Sequence, residues 1–324
     1  MKKLLLPIYL ILTLSIFSCS KSEKEKTNIS SNEVKLNEVI NKNYKSDKGK
    51  YTKFLNFGVT PWANREQMQR DFAPLIKYLS EKLNINVNFT VADSYSQLQI
   101  DLKDNKIDIA SFSPAAFVDA LDEIPNSMTY LCTMLKDNKV NKKRSYYIGY
   151  IIVRADSNIR TVKDIKDKSI GFTNRSSASG YRFPLALLLK NGVNPKKYSK
   201  SIFFLGNHDA VIEAVANGSV DIGALWDGTF YQRKNEFGGE KAFRIILKTT
   251  PIPLDAIVVN SKLDKSLISK IKSILLKMDR NTKTSDGNLV FPETEGFPFC
   301  GFEEKNLSFY NIVRETNRYL RKYE

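Results

Sequence analysis

The sequence predicts an α/β protein of two lobes, each a mostly parallel sheet flanked by helices, with a hinge and a cleft between the lobes. One observation is that strand-like and helix-like apolar spacings alternate from Phe54 to about residue 250. That order is typical of parallel sheets covered by helices. The other is a weak internal repeat, because a unit that begins at Ser96 returns 113 residues later at Asp209. Two similar lobes explain this repeat better than a single sheet does.

The folded part opens with a strand, a helix and a second strand. Phe54 to Val59 is apolar enough for a buried strand, Arg65 to Leu83 has apolar residues at helical spacing, and Asn86 to Val91 alternates as a strand does. Near the other end of the chain, the spacing from Leu267 to Leu275 predicts an amphipathic helix, and another is predicted over about residues 304 to 322. Both C-terminal helices are expected to pack on the first lobe.

The repeated unit consists of a helix N-cap residue, a short helix, a turn and a strand of the form Ile/Val-Asp-Ile. The turn and strand of the first copy are Asn105 to Ala110, and those of the second are Gly218 to Gly223. The strands end in Ser111-Phe112-Ser113 and in Leu225-Trp226-Asp227. Ligands of open α/β sheets bind outside the carboxyl ends of the strands, so both copies are expected to direct polar residues into one cleft.

Two long apolar segments, Tyr146 to Val153 and Ala256 to Val259, bracket the second half. They are predicted to carry the chain across the hinge. The first lobe is therefore assigned to residues 51–147 and 256–324, and the second lobe to residues 148–255.

The N-terminus predicts an exported lipoprotein. Two lysines precede an apolar stretch from Leu4 to Phe17 that is too short to span a bilayer comfortably, as in a signal peptide. Ser18-Cys19 resembles a bacterial lipobox, so residues 1–19 are predicted to be the signal peptide, with Cys19 as the lipidated residue. Residues 20–50 are mostly Lys, Glu, Ser and Asn, a composition that favours a flexible tether. The folded part is thus expected in the cell envelope, anchored to a bacterial membrane.

Composition excludes several function classes. The formal net charge is +15, but the lysines are scattered and aromatic residues do not alternate with them, so no nucleic-acid partner is expected. The charge predicts a solvated surface that favours contact with anionic lipid or anionic solutes. A single histidine and the lack of a Cys-x-x-Cys motif exclude a His- or Cys-rich metal site, and no cofactor is implied. Cys132 and Cys300 could form a disulfide or remain two buried thiols.

The most informative segment is the serine-rich run from Arg175 to Gly180, which the single histidine, His208, follows 28 residues later. The apolar stretch Phe183 to Leu189 follows the serine-rich run, so the run is expected to be a loop that enters a helix. A helix start presents unpaired backbone N–H groups and the positive end of the macrodipole. Serine hydroxyls add directional donors, so the run predicts an oxyanion site. The alternative is that Ser179 is an N-cap and Ser177 a solvated turn residue.

Several segments, taken in order, carry a family resemblance. They are the lipoprotein signal, the first helix–turn–strand unit with its "DIA", and the strings "GYIIVRADSNI", "DIKDKSIGF", "SSASGYRFP", "GNHDAVIEAVANGSVDIGA" and "PIPLDAIVV". The chain resembles the phosphonate, phosphite and phosphate binding proteins of ABC transporters, over roughly residues 52 to 300. The serine run followed by Gly-Asn-His-Asp is the most specific part. The resemblance implies the two-lobed type II periplasmic binding protein fold.

The resemblance also implies residues that bind the oxyanion. The loop Ser177-Ala178-Ser179 corresponds to the one that holds the phosphonyl oxygens in that family, and Ala178 stands where a threonine is common. His208 matches a histidine that contacts the same oxygens. Tyr95 matches a tyrosine of the first lobe that closes onto the ligand.

Three further positions bear on ligand choice in the same way. Phe112 stands where a second tyrosine is frequent, and Ser111 or Ser113 is expected to compensate for the missing hydroxyl. Asp227 and Asp255 resemble the carboxylates that hold the ammonium group in aminoethylphosphonate binders. Their alternative role is that of ordinary surface or capping aspartates.

The resemblance predicts a solute-binding lipoprotein that captures a phosphonate or related phosphorus oxyanion and delivers it to the membrane permease of an ABC importer. An alternative is a ligand-sensing lipoprotein of the same fold that signals to a membrane kinase. A third is an enzyme on this fold, against which the export signal and the single histidine argue. No catalytic residue is expected.

Overall fold

The alternating apolar patterns become helices and strands in the computed structural model, which describes residues 54–138, 142–292 and 297–323. The predicted signal peptide, Cys19 and the tether of residues 20–50 lie outside the described residues. Within the described part of the chain, no helix has both the length and the apolar character needed to cross a bilayer.

The described residues form nine α-helices, five of which begin at a side-chain cap. The Asn64 side chain, for example, accepts hydrogen bonds from the backbone N–H groups of Glu66 and Gln67, donors that a helix start leaves unpaired. The helices are α1 (Arg65–Leu83), α2 (Tyr95–Lys103), α3 (Pro114–Glu123), α4 (Phe183–Lys190), α5 (Pro195–Tyr198), α6 (His208–Ala216), α7 (Asp227–Arg233), α8 (Lys265–Lys277) and α9 (Asn311–Leu320).

The strands are short and mostly buried. In chain order they are β1 (Phe54–Val59), β2 (Asn86–Val91), β3 (Ile109–Phe112), β4 (Met128–Asn138), β5 (Lys142–Arg144), β6 (Tyr146–Tyr147), β7 (Gly149–Arg154), β8 (Ser169–Phe172), β9 (Ser201–Phe204), β10 (Ile222–Trp226), β11 (Phe243–Lys248), β12 (Ile252–Pro253), β13 (Ala256–Asn260) and β14 (Phe299–Glu303).

These strands form two sheets and a ribbon. The larger sheet has the order β14-β4-β13-β3-β1-β2, with β5 paired to β4, and the smaller sheet has the order β11-β7-β10-β8-β9. Strands β6 and β12 pair as a two-stranded ribbon. Helices pack on both sheets, α1 against β2 and α6 against β10, which confirms the predicted α/β class.

Both sheets are mixed, which corrects the expectation that each is mostly parallel. In the larger sheet β1 is parallel to β2 and β3, but β13 is antiparallel to β3 and β4. In the smaller sheet β8 is parallel to β9 and β10, but β7 is antiparallel to β10 and β11. The path of the chain explains this, because it passes to the smaller sheet at β7 and returns at β13. The parallel strands of each sheet all end at the edge where the chain crosses over. A strand that enters a sheet from the other one starts at this edge, so it runs antiparallel to those strands.

The two segments predicted to cross the hinge lie at these passages. Tyr146–Val153 comprises β6 and most of β7, and Ala256–Val259 lies within β13. The described residues belong to one compact unit, so the lobe boundaries given above stay a prediction.

The C-terminal helices differ in how well their bounds were predicted. The segment from Leu267 to Leu275 lies inside α8. The second helix, predicted over about residues 304 to 322, begins only at Asn311, because a 3₁₀ turn at Leu307–Tyr310 precedes it. Tyr310 is fully buried and its hydroxyl donates to the carbonyl of Leu254 at 3.0 Å. This hydrogen bond ties the turn to the segment between β12 and β13, and α9 begins only after the turn.

Cys132 and Cys300 are buried free thiols. They lie on the neighbouring antiparallel strands β4 and β14, where Thr133 pairs with Glu303. This register separates the two cysteines by about four positions, or roughly 13 Å along a strand. A disulfide requires Cα atoms within about 7 Å, so the pairing that the sequence left open is not made.

Candidate functional site

A small cavity, which we name the central cavity, lies where strands of both sheets end. Its volume is about 30 Å³. Some lining residues follow β1, β2 and β3, and others follow β8 and β9 or end β10. The remaining ones lie in or next to the β6–β12 ribbon or at the start of β14. The lining residues are Trp62, Tyr95, Ser113, Tyr147, Ser177, Ser179, His208, Trp226, Leu254, Asp255 and Phe299.

Four helical segments begin at the central cavity. Helix α2 starts at Tyr95, α3 directly after Ser113, and α6 at His208. The π-helical turn that leads into α4 starts directly after Ser177. Unpaired N–H groups and the positive ends of the macrodipoles lie at such starts, so the arrangement favours an anion.

Residues Ser177 to Arg182, which we name the serine turn, pack too tightly for any residue but glycine at one position. Ser177 caps the turn, and its Oγ accepts a hydrogen bond from the N–H of Gly180 at 3.0 Å. A Cβ on Gly180 would lie 2.0 Å from the Oγ1 of Thr173. Ser177 and Ser179 are 2% and 1% exposed. The cap is therefore Ser177 rather than Ser179, and both side chains are directed away from solvent.

Two tyrosines contact the serine turn from across the cavity. The side chain of Tyr95 hydrogen bonds to that of Ser177, and the side chain of Tyr147 to that of Ser179. Burial raises the pKa of both phenols, so each stays neutral and keeps its proton. The Oγ of Ser113 also donates to the carbonyl of Ser176 at 3.4 Å. The serine turn and the residue before it are thus hydrogen bonded to residues that follow the larger sheet and to the β6–β12 ribbon.

His208 is placed to donate one hydrogen bond into the cavity. Its ring is 4% exposed, and its Nδ1 accepts the backbone N–H of Trp226 at 3.3 Å. Desolvation lowers the pKa of His208 to about 3, so the ring is neutral at physiological pH. Because Nδ1 is an acceptor, the proton resides on Nε2. The ring therefore acts as a neutral N–H donor over the whole physiological range.

Asp255 is the one carboxylate that lines the cavity. It follows the β6–β12 ribbon and keeps part of its surface open to the cavity, while protein atoms surround the rest of the side chain. Desolvation raises the pKa of this carboxyl to about 7. Its charge consequently changes near neutral pH, where phosphorus oxyanions also change theirs.

Asp227 lies behind the cavity wall and is already paired. The Nζ of Lys136 lies 2.7 Å from both of its carboxylate oxygens, and the two side chains are 10% and 14% exposed. The Lys136 ammonium also lies 5.7 Å from the Trp226 ring centroid and 6.0 Å from that of Tyr147. Desolvation lowers the pKa of Lys136, while Asp227 raises it. The ammonium group of Lys136 thus already pairs with Asp227, the carboxylate that the resemblance assigns to the ammonium group of a ligand.

The structure brings most of the predicted site residues together. Phe112 is fully buried in β3, and Ala178 packs into the apolar core, so neither lines the cavity. Asp227 does not line it either. The predicted residues that do line it are Tyr95, Ser113, Ser177, Ser179, His208 and Asp255.

The apolar walls of the cavity were not predicted from the sequence. Trp62 and Trp226 meet edge to face with centroids 5.5 Å apart, and Phe299 stacks on Trp226 at 6.3 Å. Both tryptophans lie at the ends of strands, so the rule that placed the polar residues could have found them. Phe299 enters from β14, more than 70 residues after Trp226 in the chain, and no local pattern marks it.

The central cavity combines neutral hydrogen-bond donors with an aromatic wall. None of its lining residues is a lysine or an arginine. Within the described ranges, no three His, Cys, Asp or Glu side chains converge as a metal site requires. Hydroxyl and imidazole donors around a small volume are suited to the oxygens of a small anion, and the tryptophans and Phe299 to an apolar substituent or to the exclusion of water.

Comparisons with known proteins agree with this chemistry. A family model described as the periplasmic substrate-binding protein of a phosphonate ABC transporter matches residues 57–296. The phosphate-import protein PhnD of Mycolicibacterium smegmatis is 27% identical over 252 residues, which is 75% of either chain. The phosphonates-binding periplasmic protein of Escherichia coli is 24% identical over 261 residues, 79% of this chain and 74% of the other.

Solved structures show the same fold. The structure of PhnD1 from Prochlorococcus marinus in complex with methylphosphonate superposes with a TM-score of 0.71 at 22% sequence identity. The superposition covers 83% of this chain and 99% of that one. The two-lobed periplasmic binding fold that the sequence predicted is therefore confirmed.

Proposed function

Because this chain belongs to the phosphonate family of periplasmic substrate-binding proteins of ABC transporters, we propose that its central cavity binds a small, amine-free phosphorus oxyanion. Phosphate, phosphite and short alkylphosphonates form this class. The observation that carries the proposal is the convergence of four helical starts and neutral donors on one cavity. A methylphosphonate complex of a protein with the same fold supports it.

The affinity of such a site comes from donors that are held in place before the ligand arrives. The serine turn is fixed by the Ser177–Gly180 hydrogen bond, and His208 by the N–H of Trp226. Each charge-assisted hydrogen bond contributes roughly 1.5–3 kcal/mol. Four such bonds, less the cost of immobilising the ligand, give about −8 kcal/mol, or micromolar binding.

The absence of an amine from the ligand follows from charge and size. Lys136 neutralises Asp227, so a ligand ammonium would find only Asp255. That carboxyl has a pKa of about 7 and is half protonated at neutral pH. The cavity volume of about 30 Å³ corresponds to one or two water molecules, so a compact ligand requires the smallest adjustment of the walls.

The same features support transport rather than catalysis. His208 has a pKa of about 3, which makes it a poor general base at neutral pH. The ligand would contact residues from both sheets, so binding would favour a closed arrangement. We propose that the permease of an ABC importer recognises this arrangement, and that lipidated Cys19 anchors the protein to the membrane.

Calorimetric titration of the chain from Ser20 to Glu324 tests the ligand class. The panel is phosphate, phosphite, methylphosphonate and 2-aminoethylphosphonate at pH 6.5. We expect micromolar or tighter binding of at least one amine-free anion, and binding of the amino compound at least tenfold weaker. Tight binding confined to the amino compound would contradict the proposal that Lys136 prevents Asp227 from binding a ligand ammonium. The lack of binding heat with every anion would contradict the proposal that the ligand is a phosphorus oxyanion.

Single substitutions test the site itself. His208→Ala and Ser177→Ala should each weaken binding roughly tenfold to a hundredfold, the value of one charge-assisted hydrogen bond. Ser176→Ala is the matched control, because Ser176 is the preceding residue and does not line the cavity. Melting temperatures without ligand are measured alongside, so that a loss of binding is separated from a loss of fold.

A further inference from the structure

A second cavity lies on the opposite side of the serine turn from the central cavity. Its volume is about 280 Å³, against about 30 Å³ for the central one. The serine turn, α4 and the residue preceding α5 line it from the smaller-sheet side, and α3 and α9 from the larger-sheet side. Nothing in the proposed oxyanion site uses this space.

The charge around the second cavity is strongly positive. Four cations line it, namely Arg175, Arg182, Lys196 and Arg321, together with one carboxylate, that of Asp119. Asp119 already pairs with Arg182 through both of its oxygens. The remaining three cations have no carboxylate partner among the described residues.

One of these three cations is held in a fixed position. The guanidinium of Arg175 lies 4.4 Å from the centroid of the Phe204 ring, and it donates to the hydroxyl of Tyr181 at 3.3 Å. Lys196 and Arg321 are exposed and line the same cavity from two different parts of the chain. All three cations line this one cavity, so an anion bound in it would meet Arg175 already held by Phe204 and Tyr181.

The floor of the second cavity is apolar. Leu189 and Leu320 are 8% and 6% exposed and pack together in a small apolar cluster that also contacts Leu185. Tyr181 and Tyr323 form part of the walls. Inorganic phosphate would satisfy the cations without contacting the apolar floor, whereas an anion with an apolar group would contact both.

We propose that the second cavity binds a small organic anion that carries an apolar group, at a site separate from the oxyanion site. The anionic group contacts Lys196, Arg321 and Arg175, and the apolar group covers Leu189 and Leu320. Arg182 is not the main binding group, because Asp119, Asn317 and the carbonyl of Arg175 occupy four of its five N–H donors.

The test uses naphthalene-1-sulfonate, a rigid organic anion that is too large for the central cavity. Calorimetric titration of the chain from Ser20 to Glu324 should show one saturable site. The double variant Lys196→Gln/Arg321→Gln should bind roughly tenfold more weakly, because two charged contacts are lost. Saturating phosphate or methylphosphonate should not displace the probe, and His208→Ala should bind it as the wild type does.

The matched control is Lys197→Gln/Arg318→Gln. These residues are exposed neighbours of Lys196 and Arg321, carry the same charge and do not line the cavity, so this variant should bind the probe normally. Equal weakening in both double variants would reduce the effect to net charge and overturn the proposal. Displacement by methylphosphonate, or the lack of a saturable site, would overturn it as well. The comparison of the two double variants does not depend on whether the central cavity prefers phosphate or a phosphonate.

Discussion

The two sides of the serine turn differ in the way they present charge. On the inner side, Ser177 and Ser179 line a cavity of about 30 Å³ with no lysine or arginine among its lining residues. On the outer side, Arg182 and three cations that have no carboxylate partner in the described part of the chain line a cavity of about 280 Å³. One turn of six residues therefore separates neutral, buried donors from exposed positive charge.

The difference shows how a protein with a net charge of +15 can still select one small anion. A cation in a dry cavity would attract every anion of suitable size, whereas neutral donors in fixed positions favour the one whose oxygens match them. The surface charge raises the local concentration of anions. The geometry of the inner side then selects among these anions. Three substitutions test this division between attraction by the surface charge and selection by the neutral donors.

The largest effect on ligand binding is expected from Gly180→Ala, which alters the inner side directly. The new Cβ would lie 2.0 Å from Thr173 Oγ1, so the serine turn must move away from β8. We expect a loss of about 1–3 kcal/mol in the free energy of unfolding, as for overpacked cores, and loss of detectable oxyanion binding. Chemical denaturation and calorimetric titration measure the two effects.

Gly192→Ala provides the comparison for Gly180→Ala. Gly192 has a φ of +78° and open space around it, so alanine there costs about 1 kcal/mol through backbone strain alone. Binding should be unchanged. If Gly180→Ala also bound the oxyanion normally, the tight packing of the serine turn would not be what positions the donors.

The next effect concerns Asp255, the only ionisable carboxyl on the inner side. Its pKa is raised from 3.8 to about 7, so the folded state binds this proton more tightly than the unfolded state does. The wild type should lose stability through this group as the pH rises from about 4 to 7, by at most about 4 kcal/mol. Asp255→Asn removes this pH-dependent loss, so the free energy of unfolding of the variant should exceed that of the wild type most clearly at pH 8.

Denaturation curves between pH 4 and pH 8 measure this dependence. Asp286→Asn is the control, since its partners lower the pKa of Asp286 to about 2 and its contribution is lost only as the pH falls below about 4. The stability difference between Asp286→Asn and the wild type should thus be constant from pH 5 to 8. A constant difference for Asp255→Asn would show that Asp255 is ionised throughout.

Ligand binding should depend on pH with a sign set by the ligand. As Asp255 ionises near pH 7, its negative charge repels an oxyanion, so the affinity for methylphosphonate should fall with rising pH. The affinity for 2-aminoethylphosphonate should fall less or rise, because the carboxylate then attracts the ammonium group. In Asp255→Asn, the affinities for both ligands should no longer change with pH through the ionisation of this carboxyl.

The sequence was sufficient for the elements whose causes are local. Apolar spacing located β1, α1 and β2, and the repeated helix–turn–strand unit located β3 and β10, because burial of one face imposes the period. The antiparallel directions of β7 and β13 were not predicted, since they depend on where the chain crosses between the sheets. The start of α9 was misplaced because a hydrogen bond from Tyr310 to Leu254 is invisible in a local window.

The site followed the same division between local and distant causes. Ser177, Ser179 and His208 were identifiable because a serine-rich helix start and a helix-capping Asn-His-Asp have short-range signatures. The pairing of Lys136 with Asp227 joins residues 91 positions apart. Nothing around Lys136 in the sequence distinguishes it from the other lysines, so the neutralised carboxylate could not have been predicted.

The smallest effect is expected at Asp119, which links the outer side of the serine turn to the larger sheet. Arg182 of the turn pairs with Asp119 of α3 and donates to Asn317 of α9 at 3.0 Å. Helix α3 begins beside Ser113, so this ion pair joins two segments that both line the central cavity at their starts. Asp119→Asn should weaken oxyanion binding roughly threefold to tenfold, the scale of a partly exposed ion pair, mainly through faster dissociation.

Asp122→Asn separates that role from the loss of any charge on α3. Asp122 lies one turn further along and pairs at 3.4 Å with Arg314 of α9, so the change removes an ion pair of α3 without touching the serine turn. Stopped-flow measurement of ligand dissociation should show faster release for Asp119→Asn and wild-type release for Asp122→Asn. Equal rates in the two variants would mean that the inner side holds its geometry without support from the outer side. Faster release in Asp119→Asn alone would show that the charged side of the turn keeps the neutral side in place.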